Sequence, residues 1–298
     1  MQPTTLVHGK DIYMLLGKYS RTTAAGQDAG NKHWGFLLVK GSVTGDNEAK
    51  KIEWGETRAV SAESLGLPLS WTHLSAGGGS GVVLSDGTLV FPMQATDKDG
   101  KNELLVMRLE ASKGKWTVSW ETTGGGCREP SIVEWEGDQK LIAIAPCVGG
   151  YYDAYKSTGA GTDWFGSTPI TRVWGTSLKR QGDGVRSGFI TAAIEDKKVM
   201  LLTTPVYSEE KKEDNKKGKG RLHLWVTDNA RVHDVGPVSS EEHDAAASSL
   251  LYRKKSEKEE ELVLLYEKKN DGDDSFSLVS VRLTAQLELI KEVVKTWK

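Results

Sequence analysis

Hydrophobic and polar residues alternate in short stretches along most of this chain of 298 residues. The clearest stretches, bounded by Gly, Asp or Asn, cover residues 11–19, 34–43, 80–93, 102–111, 130–135, 139–146, 187–206, 220–229, 248–253, 261–268 and 275–283. A period of two is typical of half-buried β-strands, whereas Gly, Asp and Asn favour the turns between them. About a dozen such strands without a long helix between them predict an all-β fold made of hairpins.

Two short polar segments and one late segment refine this pattern. Residues 85–87 (Ser-Asp-Gly) and 195–197 (Glu-Asp-Lys) each separate two apolar runs, which predicts tight turns between paired strands. From Thr284 to Trp297 the apolar residues recur at near-helical spacing, with Glu and Lys between them. We therefore expect one amphipathic helix there.

Two segments resemble degenerate copies of one turn motif. SKGKW (112–116) and STGAGTDW (157–164) each end in a tryptophan that follows a glycine. Trp116 and Trp164 are 48 positions apart along the sequence. One four-stranded propeller blade takes up about 40–50 residues, so this separation is close to the length of one blade. The spacing therefore favours a propeller among the all-β folds.

Charge and cysteine content exclude several classes of protein. The 39 basic and 41 acidic residues give a net charge of −2, which offers no electrostatic basis for binding nucleic acid. The two cysteines, Cys127 and Cys147, fit no metal-ligand spacing, so we expect no metal and no cofactor. Two buried free thiols are the favoured interpretation, and a single disulfide is the alternative. We also expect no signal peptide, anchor signal or membrane-spanning segment.

Several motifs occur in an order that resembles the trypanosomal trans-sialidase family. They are SAGGGSGVVLSDGTLVFP, CREPSIVEW, GFITAAIE, VMLLTTPVY, RLHLWVTDN, VGPVS and ASSLLYR. Residues 157–164 are similar to the Asp-box of sialidases, S-x-D-x-G-x-x-W, with Gly159 in place of the Asp. The resemblance implies a six-bladed sialidase-type propeller, of which residues 1–283 would be an incomplete copy without the first blade. Residues 284–298 would begin a linker helix toward a lectin-like domain.

The resemblance also assigns catalytic positions. In active members a tyrosine attacks the sugar and a glutamate takes its proton, a departure from the usual pair of carboxylates. The glutamate matches Glu129, whereas the tyrosine matches Ala247. For Glu129 three interpretations stay open: a vestigial base, a buried carboxylate paired with a cation, or an exposed group.

Substrate-binding positions follow in the same way. Two of the three arginines that bind the sialic acid carboxylate match Pro146 and Lys219, and Lys219 keeps the charge without the guanidinium fork. The glutamate that steadies the first arginine matches Glu267, and Gln2 stands where an aspartate contacts the substrate. The aromatic residues of the acceptor site align near Ala24, Ala25 and Lys217.

These changes predict an inactive trans-sialidase-like surface protein. It would bind host glycans, through sialic acid or galactose, or matrix proteins, and serve as a variable antigen at the cell surface or after secretion. The alternative is an exo-α-sialidase or trans-sialidase acting on terminal sialic acids, for example through water activated by Glu129. A third possibility is a gene fragment without independent function. An incomplete propeller also predicts marginal stability, because sheet faces and strand edges stay uncovered.

Overall fold

The computed structural model describes residues 3–18, 35–46, 49–61, 65, 71, 73–110, 114–119, 125–148, 152–166, 184–207, 219–256, 259–270 and 275–297. Regular structure in these ranges consists of 21 strands and one α-helix, which confirms the all-β prediction and its single helix. The strands form five sheets, most of them antiparallel hairpins between sequence neighbours. Two compact units divide the chain: Met1–Ile144 with Tyr155–Ser167, and Ala145–Ala154 with Thr168–Lys298.

The first two sheets belong to the first unit. Their strands are β1 (Thr4–His8), β2 (Asp11–Lys18), β3 (Gly35–Thr44), β4 (Lys51–Ser61), β5 (His73–Ala76), β6 (Gly79–Ser80), β7 (Val82–Val83), β8 (Leu89–Thr96), β9 (Asn102–Leu109) and β10 (Trp116–Val118). The first sheet has the order β4-β3-β2-β1-β6, and the second has the order β10-β9-β8-β5 with β7 beside β8. The predicted turn at residues 85–87 joins β7 to β8, and Gly87 takes a left-handed φ of 84° there.

Alternation along these strands builds the core of the first unit. On β2 and β3, Leu15 pairs with Leu38, and Phe36 of β3 pairs with Val60 of β4. These side chains form one buried cluster with apolar residues of the second sheet, including Phe91. The cluster forms because one face of each sheet is apolar and the two faces cover each other.

The third sheet corrects the expectation of free thiols. Its strands are β11 (Ser131–Glu134), β12 (Leu141–Pro146), β13 (Tyr152–Ser157) and β14 (Phe165–Gly166), in that order. Both cysteines are disulfide-bonded. Ser131 pairs with Ile144 in the β11–β12 hairpin, and continuing this antiparallel register would place Cys127 opposite Val148, one residue from Cys147. Spacing along the sequence does not reveal such a pairing, and thiolate ligands for a metal are absent while the bond is intact.

The fourth sheet lies in the second unit. It has the order β15 (Gly188–Ile194), β16 (Lys197–Tyr207), β17 (Gly220–Thr227) and β18 (Val232–Pro237). Ile194 pairs with Lys197, and Glu195 and Asp196 between them have positive φ values of 50° and 56°. Two left-handed residues in a two-residue loop fit the right-handed twist of the flanking strands. This confirms the turn predicted at residues 195–197.

The fifth sheet and the helix complete the second unit. Strands β19 (Ala245–Ser256), β20 (Glu259–Lys269) and β21 (Phe276–Arg282) lead into helix α1 (Thr284–Thr296), close to the predicted bounds. Leu287, Ile290 and Val294 of α1 are buried in the core of this unit. Lys197 Nζ donates a hydrogen bond to the Val294 carbonyl oxygen at 2.9 Å and another to that of Trp297. A cation at this end of a helix also complements its dipole.

A pair of lysines and a glutamate fasten α1 to the fifth sheet. Lys291 of the helix and Lys254 of β19 lie 2.9 and 3.1 Å from the carboxylate of Glu260. Burial opposes ionisation of Glu260, but the hydrogen bonds from Lys291 and Lys254 outweigh it and lower the pKa of that carboxyl. The helix is therefore held by charge at the border of its buried face, in addition to the apolar packing of that face.

Candidate functional site

Two of the predicted site residues meet on the fifth sheet. Strand β19 carries a bulge between Ala245 and Ser248, which pair with Lys268 and Tyr266 of β20. Ala247 lies in this bulge, and Glu267 lies opposite it, between the two paired residues of β20. The sheet therefore brings together the position expected for the nucleophile and the glutamate expected to steady an arginine.

The neighbours of this pair are apolar and open to solvent. Leu265 of β20 and Leu251 of β19 are 42% and 62% exposed, and Leu278, paired with Glu267, is 69% exposed. Alternate residues of the same strands, such as Leu250 and Leu264, are buried in the core of the unit. One face of the sheet is thus covered, and the face that carries Leu251, Leu265 and Leu278 is an exposed apolar surface.

Lys219 lies just before β17, and its ammonium group already has a partner. Lys219 Nζ donates a hydrogen bond to the carbonyl oxygen of Glu242 at 3.0 Å. The next residue, Gly220, donates its N–H to Asp244 Oδ1 at 2.8 Å, and the N–H of Lys269 donates to the Asp244 carbonyl oxygen at 2.9 Å. Asp244 therefore ties the start of β17 to the end of β20.

Sequence reasoning missed this role of Asp244, although its place directly before an apolar strand is a usual one for a turn-forming aspartate. Packing also explains why the residue after Lys219, Gly220, is a glycine. A Cβ at Gly220 would lie 2.6 Å from the carbonyl oxygen of Ala245, so only glycine allows the approach.

Glu129 has an unusual backbone conformation, which a hydrogen bond to Gln94 stabilises. Its φ of 52° is left-handed, which is uncommon for a residue with a side chain. Its N–H donates a hydrogen bond to Gln94 Oε1 at 2.7 Å, and the residue is half-buried. Gln94, a polar residue inside the apolar strand β8, was not singled out from the sequence. The role of Glu129 as a vestigial base stays a prediction.

The other predicted positions add little to this site. Pro146 ends the buried strand β12, where it offers neither a charge nor a donor. Gln2, Ala24, Ala25 and Lys217 lie outside the described residues.

The turn at residues 157–164 keeps its polar network without the aspartate of the motif. The carboxylate of Asp163 accepts hydrogen bonds from Ser157 Oγ at 2.9 Å and from the N–H groups of Thr158 and Gly159 at 3.0 Å. Ser157 Oγ in turn accepts one from the N–H of Gly161 at 2.7 Å. A carboxylate from the far side of the turn thus supplies the acceptor that Gly159 lacks.

Hydrogen bonding keeps this carboxylate charged. Burial disfavours the ionised form of Asp163, but the hydrogen bonds from Thr158, Ser157 and the backbone N–H groups outweigh it and lower its pKa. The turn also packs closely, because a Cβ at Gly161, which has a φ of 87°, would lie 2.3 Å from Val106. Trp164 packs against the buried cluster that contains Val106. Of the other copy, residues 112 and 113 lie outside the described ranges, and Trp116 begins β10.

Comparison with known proteins agrees with these features. A family model described as a BNR repeat-like domain matches residues 1–267. A sialidase from Trypanosoma cruzi is 32% identical over 311 residues, covering 100% of this chain and 25% of the relative. Sialidase 85-1.1 of the same organism is 31% identical over a region that covers 100% of this chain and 39% of the relative. The solved structure of Trypanosoma rangeli sialidase in complex with sialic acid has a TM-score of 0.82 at 33% identity, covering 100% of this chain and 46% of that one.

The chain belongs to the trypanosomal trans-sialidase-like family of BNR-repeat sialidases. Its fold class is the all-β propeller of sialidases, with five sheets and one helix in the described residues. This trans-sialidase-like chain spans a quarter to less than half of the length of the relatives given above. The described residues hold no helix that is long and apolar enough to cross a bilayer.

Proposed function

We propose that this trans-sialidase-like chain binds glycans without cleaving them. The observation that carries the proposal is Ala247 in the β19 bulge, at the position where the family resemblance expects a tyrosine. A methyl group cannot form a covalent bond to the sugar, and it leaves Glu129 without a phenol proton to accept. Loss of a nucleophile typically costs several powers of ten in rate.

Binding of the sialic acid carboxylate would also be weakened. Arginine holds a carboxylate through two parallel hydrogen bonds, whereas lysine offers a single charged group. The Lys219 ammonium already donates to the carbonyl oxygen of Glu242. Pro146, at the second arginine position, contributes no donor. We therefore propose ligands held by contacts other than a carboxylate clamp.

The biological setting rests on the family resemblance. We propose host cell-surface glycans or matrix proteins as partners, a role as variable antigen, and a place at the cell surface or outside the cell. T. rangeli sialidase, at 33% identity, was solved with sialic acid bound, which supports a sugar as the ligand class.

We also propose that the propeller is six-bladed when complete. Leu251, Leu265 and Leu278 form an exposed apolar surface on the fifth sheet. A further sheet packed on this surface would cover it in the way that blades cover one another. The chain alone is then expected to be of marginal stability or to aggregate, and a thermal midpoint typical of a robust domain would contradict this.

The deciding experiment measures fluorophore release from a 4-methylumbelliferyl sialoside. We expect no release by the wild type and a measurable gain in Ala247→Tyr. The gain should disappear when Glu129→Ala is added, because the restored phenol would again need a base. Saturation-transfer NMR with sialyl-lactose in parallel tests binding without turnover.

The alternative function is an exo-α-sialidase or trans-sialidase. The observation that favours it is Glu129, retained in a left-handed conformation that Gln94 stabilises. Strained backbone at such a position is often associated with function. Wild-type activity that vanishes in Glu129→Ala would establish this alternative and overturn the proposed lack of catalysis.

A further inference from the structure

A cleft of about 440 Å³ is lined by residues of the first two sheets. Its volume falls within the roughly 300–1,000 Å³ that small-molecule sites occupy. Every residue that lines it belongs to the first unit. The lining consists of Tyr13, Leu38, Lys40, Gly41, Ser42, Glu53, Gly55, Glu56, Arg58, Leu109, Gly114 and Trp116. The residues discussed above as catalytic or carboxylate-binding positions lie elsewhere in the sequence.

The apolar part of the cleft is the outer margin of the core. Tyr13 from β2 and Leu109 and Trp116 from the second sheet are half-buried and pack against the buried cluster between the two sheets. The Trp116 ring lies 5.9 Å from that of Phe91 in the core, which fixes its position. Two aromatic rings and a leucine thus present a rigid apolar wall to the cleft.

The polar part of the cleft contains both hydrogen-bond donors and hydrogen-bond acceptors. Lys40 and Ser42 both bond Asp11, at 2.7 Å in each case, while Lys40 Nζ also lies 5.5 Å from the centre of the Tyr13 ring. On the neighbouring strand Arg58 is 3.2 Å from Glu56. The side chains that reach the cleft therefore include an ammonium, a guanidinium, a hydroxyl and carboxylates.

Charge pairing in the cleft argues against an anionic ligand. The cations Lys40 and Arg58 are paired with Asp11 and Glu56, and Glu53 is paired with Lys51 at 2.8 Å. A carboxylate entering the cleft would have to compete with these carboxylates for the same cations. A ligand whose groups both donate and accept hydrogen bonds can bond to the paired charges without separating them.

We propose that this cleft binds a neutral pyranose sugar. Such a ring carries C–H groups that pack on an aromatic face and hydroxyl groups that bond to charged side chains at its edge. Trp116 and Tyr13 supply the aromatic faces, and Arg58, Glu53 and Ser42 supply the edge contacts. This proposal adds a second sugar site, in the first unit, to the proposed glycan binding, and it does not depend on whether Ala247 and Glu129 support catalysis.

The test uses the 298-residue chain, with lactose, cellobiose and maltose as neutral probes and 3′-sialyllactose as an anionic one. Binding is measured by saturation-transfer NMR and titration. We expect at least one neutral disaccharide to bind, and Trp116→Ala to weaken it about tenfold, equivalent to about 1.4 kcal/mol. Arg58→Ala, at an exposed position, is expected to weaken binding about threefold.

Trp54→Ala is the matched control. Trp54 lies on the opposite face of β4 from the cleft, with its ring against Gly41, and is 48% exposed. The Trp54→Ala variant should bind the neutral disaccharides with the same affinity as the wild type. If Trp116→Ala fails to fold by circular dichroism, Tyr13→Ala and Arg58→Ala take its place.

Three outcomes would overturn the proposal. They are binding of none of the neutral probes, an affinity for 3′-sialyllactose that is well above that for lactose and is lost in Trp116→Ala, and equal losses in Trp54→Ala and Trp116→Ala. Failure of this site and failure of the proposed function are distinguishable, since the sialoside assay depends on Ala247 and Glu129 and this titration depends on Trp116 and Arg58.

Discussion

The turn at residues 157–164 and the bulge of strand β19 each lack a residue that the family resemblance predicts, with different consequences. In the turn, Gly159 replaces an aspartate, and the carboxylate of Asp163 accepts the hydrogen bonds from Ser157, Thr158 and Gly159. In the bulge, Ala247 stands where the family resemblance predicts a tyrosine, and it lies opposite Glu267, beside an apolar surface.

The difference lies in what each position has to provide. A turn needs one acceptor within reach of several donors, and a side chain from either end of the turn can supply it. A nucleophile must stand at one point relative to the reacting carbon, within a few tenths of an ångström. Structural networks therefore tolerate relocation of a group, whereas covalent chemistry does not.

The largest expected effect comes from removing the relocated carboxylate. Asp163→Ala leaves the donors of the turn without their acceptor, and we expect a loss of about 2–3 kcal/mol in the free energy of unfolding. Urea denaturation measures it. Gly159→Asp in the Asp163→Ala background should recover part of this loss, because it restores the acceptor of the motif, although its Cβ would lie 2.4 Å from Thr162 Oγ1.

Gly159→Asp alone is the control for that rescue. A Cβ at Gly159 would lie 2.4 Å from Thr162 Oγ1 and 3.5 Å from the Asp163 carboxylate, so the single variant should be destabilised. A stable single variant, or an absent rescue, would show that the two carboxylates are not interchangeable.

Lowering the pH should remove the contribution of the ionised Asp163 carboxylate to stability. The pKa of Asp163 is lower in the folded chain than its ordinary value, so its stabilising effect is complete above the unfolded pKa of about 3.9 and is lost as pH falls through the folded value. The urea midpoints of the wild type and Asp163→Asn should differ at pH 7 and converge between roughly pH 5 and pH 2. Asp196→Asn, in the turn between β15 and β16, serves as the control, and equal convergence there would assign the effect to acid in general.

The smallest effect is expected at the bulge. Ala247→Tyr should change stability by no more than about 0.5 kcal/mol, because Ala247 is half-buried beside an exposed surface. Its neighbour Ser248 is buried and bonds Thr203 Oγ1 at 2.9 Å and the N–H of Gly188 at 3.2 Å. Ser248→Ala should therefore cost about 1–2 kcal/mol. A larger cost for Ala247→Tyr than for Ser248→Ala would mean that the bulge is built around the alanine.

Much of the fold could be predicted from local patterns. The runs that became β8, β9, β16 and β20 alternate or are continuously apolar, and the spacing over residues 284–297 marks helix α1. Each follows from which residues share a face of a strand or helix, and that depends only on near neighbours in the chain. The family resemblance added the propeller and the positions of Glu129, Ala247, Lys219 and Glu267.

The sequence by itself determined the strands, the tight turns, the helix and the identity of the residue at position 247. The tertiary structure decided that Cys127 and Cys147 are bonded, that Asp163 replaces the missing aspartate, and that Trp116 and Tyr13 border one cleft. Periodicity records which face a residue occupies, because burial acts on whole faces of strands and helices. It does not record which side chains from different strands or from the two ends of a turn meet, because register and the fold-back of the chain set those contacts.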